Sequence, residues 1–310
     1  MATVLAVLTS GRRNGFTAQL LGSAIRGMES IEGVTADFLH THQFRFGPCT
    51  SCFACIRNPE QACVLDDDMG RKGNGELFQR IGRANGLLIA DPVHNWSPSA
   101  SARLLIERTY PFLWNGGLHG MPAGSISCAS NQGMQRLARA DLCKWFFGHR
   151  MRYVGGVAAH VAFFDQALQE AEQLGRALAG AALADETEGR LHWNDANCYA
   201  FYAENAPWVA LQAYLDNLTN GTMEPEKSIL VQALNESVFK RPEAIEHVRS
   251  AQAELENTMR LYRAGEEVEA ARSVAEAGAH WTRATWLEFL EQDVIGVKQP
   301  RTYRPIPGDE

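Results

Sequence analysis

Four cysteines fall within one short stretch of the chain, CTSCFACIRNPEQAC, in the pattern C-x2-C-x2-C-x7-C. They are Cys49, Cys52, Cys55 and Cys63. Three cysteines at intervals of three can turn their thiolates into one small volume if the backbone winds tightly, and a fourth can then complete a cubane. The compact spacing favours an iron–sulfur cluster. Zinc, which more often uses two separated C-x2-C pairs, and reduced thiols without a metal are the alternatives.

The other cysteines, Cys128, Cys143 and Cys198, are scattered along the chain, and we interpret them as core residues. A disulfide framework is not expected, because nothing indicates secretion. The first residues, MATVLAVLTSGRRNG, lack a basic segment before their short apolar run, which predicts a first strand and not a signal peptide. We therefore expect a cytoplasmic protein.

A polar loop, TSGRRNGFT, follows the first apolar run and opens a predicted helix. Thr9, Ser10 and Thr17 provide hydroxyl groups there, and a helix N-terminus provides free backbone amides. This combination suits a phosphate group. The alternative is an ordinary polar loop in which Thr17 caps the helix.

A second loop, DPVHNWSPSAS, follows the apolar run GLLIA. His94, Asn95 and Trp96 offer a mixed polar and aromatic wall that suits a flat conjugated ring. The same letters also fit the start of a helix, with Ser97 as N-cap and Pro98 at the first helical position. Both interpretations can hold together.

Five short strand-like runs alternate with helical segments over the first 180 or so residues. The runs are 3–8, 34–40, 86–93, 123–129 and 152–160. This alternation predicts an α/β fold with a flavodoxin-like, doubly wound, five-stranded parallel sheet. Ligands bind such sheets beyond the carboxyl ends of the strands, where a third loop, CASNQGMQ, also lies.

The chain changes character after this region, and we predict a mainly α-helical extension. The predicted domains are 1–184, with the cysteine loop at 45–65, and 185–310. A heptad-like seam predicts one long helix, with a second helix over about 266–292 after a break at Gly265 and an extended tail over 298–310. The seam consists of Ile245, Val248, Gln252, Leu255, Met259 and Tyr262.

Four tryptophans of the extension, Trp193, Trp208, Trp281 and Trp286, allow two interpretations. They can form the core of an intramolecular helical bundle, which is the more common use of aromatic residues at helical spacing. Alternatively, the extension can be a lid over the ligand site or an arm that bridges subunits.

The overall charge excludes some classes of partner. The chain has 310 residues and a net charge of −7, with basic and acidic residues interspersed. Because it has no polybasic tract, we expect no nucleic acid and no anionic membrane as partner. No apolar run approaches the ~20 residues of a membrane-spanning helix.

Four blocks of sequence together resemble a known family. TSGRRNGFTAQLL, PCTSCFACIRNPEQACVLDDDM, LLIADPVHNWSPSASARLLIERT and GSISCASNQGMQ occur in the order seen in NADPH-dependent FMN reductases of the flavodoxin-like superfamily. The version with the cysteines is similar to the iron–sulfur flavoproteins. The resemblance covers residues 1 to about 180. It implies bound FMN, a nearby 4Fe–4S cluster on the four cysteines, and a homodimer or homotetramer in which cluster and flavin can come from adjacent subunits.

The resemblance also implies which residues hold the flavin. In the first loop, the FMN phosphate would be bound by Ser10, Arg12, Asn14 and Thr17, with Phe16 beside them. The ribityl chain and ring fall to the second loop, through Pro92, Val93, His94, Asn95, Trp96 and Ser97. Separately from the resemblance, the position of the third loop makes Ser130, Asn131 and Gly133 candidates for contact with the rim of the ring.

The chain also departs from the family pattern at three places. Phe16 stands where Asn is common, Ala90-Asp91 where Gly-Ser is common, and His94-Asn95-Trp96 where Tyr-Phe-Gly is common. These changes alter the shape and polarity of the pocket, which indicates a specialised substrate.

The expected function is that of an FMN-dependent oxidoreductase with a 4Fe–4S cluster. It would move electrons between NAD(P)H or a protein donor and a small quinone, nitro or similar acceptor, or a redox partner. We expect no catalytic acid or base, because hydride transfer to a flavin depends on positioning. The alternatives are a cluster-free NAD(P)H:FMN or quinone reductase and a non-catalytic flavin-binding module.

Overall fold

The computed structural model describes residues 1–193 and 195–291. Each of the five predicted strands is present. They are β1 (Ala2–Leu8), β2 (Val34–His40), β3 (Gly86–His94), β4 (Pro122–Ala129) and β5 (Arg152–His160). The continuous apolar runs of β1, β3 and β4 are buried along nearly their whole length, as expected for strands covered on both faces.

The five strands form one parallel sheet in the order β2-β1-β3-β4-β5. This is the flavodoxin-like order, so the predicted fold class is confirmed. Leu8 at the end of β1 pairs with His40 on one side and Ala90 on the other. Ala129 at the end of β4 pairs with His160. The carboxyl ends of all five strands therefore share one edge, and the loops that follow them are neighbours.

Seven helices belong to this first part of the chain. They are α1 (Phe16–Glu29), α2 (Ala54–Arg57), α3 (Glu76–Arg83), α4 (Ala100–Arg108), α5 (Tyr110–Asn115), α6 (Gln135–Gly148) and α7 (Phe164–Glu188). The helical segment over 100–115 consists of two helices, α4 and α5. It divides at Thr109, because Pro111 has no amide hydrogen to continue the α4 ladder and instead occupies the first turn of α5.

Helices α1 and α7 cover one face of the sheet and cross at very short range. A Cβ on Gly27 would stand 2.1 Å from the Glu172 carbonyl oxygen, and one on Gly175 would stand 2.0 Å from that of Ala24. Glycine at both positions lets the two backbones touch. The apolar side chains that they bury form the main core, together with alternate residues of β1, β3, β4 and β5.

The second compact unit begins at Trp193, directly after the first, which spans Met1–His192. Its helices are α8 (Asp195–Asn205), α9 (Trp208–Leu218), α10 (Ile229–Asn235), α11 (Pro242–Arg263) and α12 (Glu267–Thr285), followed by a π-helical turn at Trp286–Leu290. The predicted hairpin of two long helices is confirmed. Gly265 has φ of +78° at the break, a conformation that glycine adopts without strain.

The heptad-like seam of α11 is used inside this unit. Val248, Leu255 and Met259 belong to a buried cluster that also includes residues of α9, α10 and α12. The tryptophans follow the same pattern: Trp193 and Trp286 are buried, Trp208 stacks on Tyr262, and Trp281 packs edge-on against Phe239. These contacts match the interpretation as an intramolecular bundle. The predicted tail over 298–310 lies outside the described residues.

Within the described ranges, no helix combines the length and the apolar character needed to cross a membrane.

Candidate functional site

The loop after β1 combines a buried hydroxyl with an uncapped helix start. Ser10 is buried, and its Oγ accepts a hydrogen bond from the Arg12 amide at 3.2 Å, whereas Arg12 and Asn14 are exposed. The N-cap of α1 is Gly15, and no side chain bonds to the amides of its first turn. Those amides are the donors that a phosphate group uses at a helix N-terminus.

The alternative that Thr17 caps α1 is therefore wrong. Thr17 lies inside the first turn, where it is buried and hydrogen-bonded to the Cys128 thiol at the end of β4. Burial raises the pKa of that thiol, which keeps it neutral. Phe16, beside it, is partly exposed and packs edge-on against Phe164. The loop after β1 thus contacts the strand that carries the third loop.

His40, at the end of β2, supports the loop after β1, a role that sequence reasoning missed. Its ring is buried, with Nδ1 3.2 Å from the Arg13 Nε and Nε2 2.8 Å from the Ser10 carbonyl oxygen. Since a guanidinium only donates, Nδ1 accepts, and Nε2 carries the hydrogen that is donated to Ser10. Its position in the sequence could have indicated this role, because His40 is the last residue of β2, the strand that pairs with β1.

Asp91 connects the first and second loops. Its buried carboxylate accepts from the Thr9 hydroxyl at 2.5 Å, from the Ser99 hydroxyl at 2.5 Å and from the Ser99 amide at 2.9 Å. Burial raises the pKa of this carboxyl, and the hydrogen bonds from Ser99 and Thr9 oppose that shift only in part. The sequence showed Asp91 as a departure from the family pattern. The structure shows it as the residue that ties β1, β3 and α4 together.

The start of α4 differs from the expectation. Its N-cap is Ser99, whose Oγ accepts from the Ala102 amide, so the assignment of Ser97 as N-cap and Pro98 as first helical residue is wrong. Ser97 and Pro98 instead pair antiparallel with His94 and Val93. The helix starts later than expected because a turn at Asn95 and Trp96 first reverses the chain direction and pairs Ser97 and Pro98 with β3.

That turn presents an exposed aromatic ring. Asn95 and Trp96 both have left-handed backbone conformations, with φ of 48° and 64°, as in a two-residue type I′ hairpin. The Trp96 side chain is 60% exposed, and its Nε1 donates to Gln132 Oε1 at 3.2 Å. A large exposed ring held in a strained turn is typical of a ligand-binding position.

The third loop lies beside this turn. Ser130 and Asn131 are exposed, and Gly133 has φ of +93°. The His160 Nε2 lies 3.1 Å from the Asn131 carbonyl oxygen, which fixes the loop against the end of β5. The residues expected for the flavin, from Ser10 to Gly133, therefore occupy three adjoining loops at the carboxyl edge of the sheet.

The four clustered cysteines line one cavity of about 450 Å³. Its wall also includes Phe53, Ile106, Tyr110, Pro111 and His149. Three residues in the cysteine loop have left-handed backbone conformations without being glycine: Ser51, Phe53 and Ala62, with φ of 51°, 56° and 50°. Such conformations cost free energy and persist only where the surroundings impose them, most often at functional sites. Here they turn the chain around its thiols.

The thiols are close enough to repel one another when ionised. The pKa of Cys55 is raised to about 11, first by burial and then by negative charge at Cys63, Cys49 and Cys52. Among residues 1–193 and 195–291, no three His, Cys, Asp or Glu side chains converge closely enough to hold a single metal ion.

Arg108, at the end of α4, holds the cysteine loop together with Asp67, which lies just beyond that loop. Arg108 is 1% exposed and donates to both Asp67 carboxylate oxygens, at 2.7 and 2.9 Å. It also donates to the Gly47 carbonyl oxygen at 2.5 Å and to Cys63 Sγ at 3.3 Å. Burial raises the pKa of Asp67, but the hydrogen bonds and charge of Arg108 outweigh it, so the pKa of Asp67 is lowered. Both groups stay charged.

Glu107, the neighbour of Arg108, holds the other end of the cysteine motif by accepting from the Cys49 amide at 2.6 Å. Helix α4 therefore has the second loop at its first residue and the cysteine cavity at its last turn. Its nine residues span ~14 Å at the usual rise per residue. Sequence reasoning missed Asp67, Glu107 and Arg108, because acidic and basic residues on a helix surface carry no sign of what they face.

The remaining cysteines, Cys128, Cys143 and Cys198, are buried away from the cavity, as predicted. Cys143 has its pKa raised to about 12 by burial, as expected for an inert core thiol.

The sheet order defines the class of flavodoxin-like, doubly wound proteins, which bind ligands at the carboxyl edge of the sheet. The sequence pattern of the family described as NADPH-dependent FMN reductase matches residues 2–166. The chain belongs to this family and is a flavin-dependent oxidoreductase.

Several relatives and solved structures are similar to the chain. An iron–sulfur flavoprotein of Methanocaldococcus jannaschii is 26% identical over 153 residues, which cover 49% of this chain and 75% of that protein. One of Archaeoglobus fulgidus is 26% identical over 186 residues, which cover 56% of this chain and 78% of that protein. A solved flavone reductase has a TM-score of 0.46 and 15% identity, with 63% of this chain and 69% of that chain covered.

Proposed function

We propose that the protein is an FMN-dependent oxidoreductase with a 4Fe–4S cluster on Cys49, Cys52, Cys55 and Cys63. It takes electrons from NAD(P)H or a protein donor and passes them to a small quinone, nitro or similar acceptor, or to a redox protein. One observation carries this proposal: α4 links the proposed flavin loops at one end to the four-thiol cavity at the other. Two redox groups joined by one short helix suit an electron relay.

The residues at the carboxyl edge have the chemistry that FMN requires. We assign the phosphate to the free amides of α1 with Ser10, Arg12, Asn14 and Thr17, beside Phe16. The ring and ribityl chain fall to the second loop, and the rim of the ring to Ser130, Asn131 and Gly133. In the second loop the residues are Pro92, Val93, His94, Asn95, Trp96 and Ser97. Trp96 offers a stacking surface, while His94 and Asn95 add polar edges.

The cavity has the chemistry that an iron–sulfur cluster requires. Burial first, and then the negative charge of the other three cysteines, raises the pKa of Cys55 and opposes four thiolates in one place. Bound iron would supply the compensating positive charge. The four cysteines that line the cavity match the four thiolates that a cubane takes, one for each iron. When bound, FMN exchanges hydride and single electrons, and the cluster exchanges single electrons.

Anaerobic iron and sulfide analysis, with a visible spectrum, tests the proposal. About four irons per chain, with flavin, are expected. The variant Cys52→Ser removes one thiol from the cavity wall and should lower the iron content sharply. Cys143→Ala removes a core thiol outside the cavity and should leave it unchanged. An iron-free protein that still oxidises NAD(P)H would overturn the cluster and favour the cluster-free reductase.

The quaternary state and cellular setting are part of the same proposal. We propose a homodimer or homotetramer in a reducing cytoplasm, where free thiols remain available for a cluster. The proposed ligand edge carries exposed apolar side chains, among them Trp96, Leu137 and Phe163, which suit contact with another surface. Light scattering on the purified protein measures the oligomer mass, and a monomer would contradict this part.

A further inference from the structure

Arg108 is a buried cation whose hydrogen bonds reach two residues of the cysteine loop, Gly47 and Cys63, and Asp67 just beyond it. It ends α4 with 1% of its surface exposed. One terminal nitrogen, Nη1, bonds to Gly47 and Asp67, and the other, Nη2, bonds to Asp67 and to Cys63 Sγ at 3.3 Å. The bidentate pair with Asp67 fixes the plane of the guanidinium, so one N–H is aimed at the sulfur.

A hydrogen bond to a ligand sulfur acts differently on the two redox states of a cluster. Reduction adds negative charge, part of which the sulfurs bear, so an N–H donor stabilises the reduced state more than the oxidised one. The donor therefore raises the reduction potential. Burial strengthens the effect, because little water screens the interaction inside the cavity wall.

Asp67 sets the net charge that accompanies this donor. Its carboxylate forms an ion pair with Arg108 and also accepts from the Met69 amide at 3.1 Å. The pair is close to neutral as a whole, so Cys63 receives an oriented N–H with little net positive charge. Removing either partner would leave the other charge uncompensated, and the two removals would act on a nearby cluster in opposite directions.

We propose that Arg108 is a positioning residue that raises the reduction potential of the cluster, and that Asp67 limits this increase. The inference rests on the proposed function, since it requires a cluster on Cys63. It assigns Arg108 a role besides loop stability, because a residue that served only to hold the loop would change iron content or folding without moving the potential in a fixed direction.

Three variants and one control test the proposal by redox titration of the anaerobically reconstituted full-length protein, followed by visible and electron paramagnetic resonance spectra. Arg108→Met should move the midpoint potential to more negative values, and Asp67→Asn to more positive values. The double variant removes both charges and should lie between Arg108→Met and wild type. Arg103→Met changes an exposed arginine of the same helix, paired with Asp141, and should leave the potential unchanged.

The outcomes separate this inference from the function on which it rests. Wild-type protein without iron overturns the cluster itself and the role of Arg108 with it. Iron at wild-type content with no change of potential in Arg108→Met or the double variant overturns the role of Arg108 alone. If Arg108→Met does not assemble the cluster, the double variant provides the test, because it leaves no unpaired buried carboxylate. A midpoint potential of the double variant at or above the wild-type value would contradict the inference.

Discussion

The indole N–H of Trp96 donates to Oε1 of Gln132 across 3.2 Å, and this bond joins the turn after β3 to the loop after β4. Thr9 and Asp91 join the loops after β1 and β3 in the same way, at 2.5 Å. The three loops are thus connected before any ligand arrives. Preorganisation of this kind reduces the ordering cost that binding would otherwise carry.

Trp96 should contribute directly to FMN affinity. Replacing it with Ala removes a stacking surface of the kind worth ~0.5–1.5 kcal/mol. The dissociation constant for FMN should therefore rise by up to about tenfold. Trp96→Phe should retain most of the affinity. Fluorescence titration of the apoprotein with FMN measures both. Phe38→Ala, which truncates another exposed ring on β2, serves as control, and an equal loss in both Ala variants would contradict the role of Trp96.

The turn at Asn95 should be sensitive to β-branched residues. With φ of 48°, Asn95 adopts a conformation that asparagine and glycine tolerate and valine does not. Asn95→Val should lower the free energy of unfolding by ~1–2 kcal/mol, whereas Asn95→Gly should leave it nearly unchanged. Urea denaturation of the three proteins distinguishes these outcomes, and equal midpoints for Val and Gly would show that the turn is not constrained.

Replacing Gly175 or Gly180 of α7 with alanine should change the stability of the protein in opposite directions. A Cβ at Gly175 would stand 2.0 Å from a backbone oxygen of α1, while one at Gly180 would meet nothing within 4 Å. Gly175→Ala should therefore destabilise the protein by ~1–3 kcal/mol through overpacking. Gly180→Ala should stabilise it by ~0.5–1 kcal/mol, because alanine favours the helix. Thermal unfolding measures both, and destabilisation by both variants would argue against the close crossing.

Asp91 should make stability depend on pH. Burial raises the pKa of its carboxyl, so the folded protein holds that proton more tightly than the unfolded chain does. The resulting stabilisation is complete below the unfolded pKa of ~3.9 and is lost as pH rises through the folded value. As pH rises above that unfolded value, wild type should therefore lose stability relative to Asp91→Asn. Denaturation at several pH values tests this, and a constant difference would contradict it.

The parts of the fold that follow from local pattern were predictable. Unbroken apolar runs such as β1 and β4 identify buried strands, and the spacing of Val248, Leu255 and Met259 identifies a helix packed along one side. The cap at Ser99 was missed. It depends on the backbone geometry of the preceding turn at Asn95 and Trp96, which delays the start of α4.

The candidate site was predictable only where its residues share a loop. The cysteines and the second loop are recognisable as motifs because their spacing carries the chemistry. His40, Asp67 and Arg108 act across large separations in sequence: Arg108 contacts Asp67 from 41 residues away. A single sequence contains no record of such pairings, and each residue taken alone has the composition of an ordinary surface or strand end.

The anchoring of the cysteine loop has an evolutionary consequence. Glu107 and Arg108 hold the first and last cysteines of the motif, so much of its attachment is encoded by two adjacent codons at the end of a helix that the doubly wound fold needs in any case. Losing the loop would also remove the partners of Arg108 and leave a buried cation uncompensated, so the loop and the end of α4 must change together.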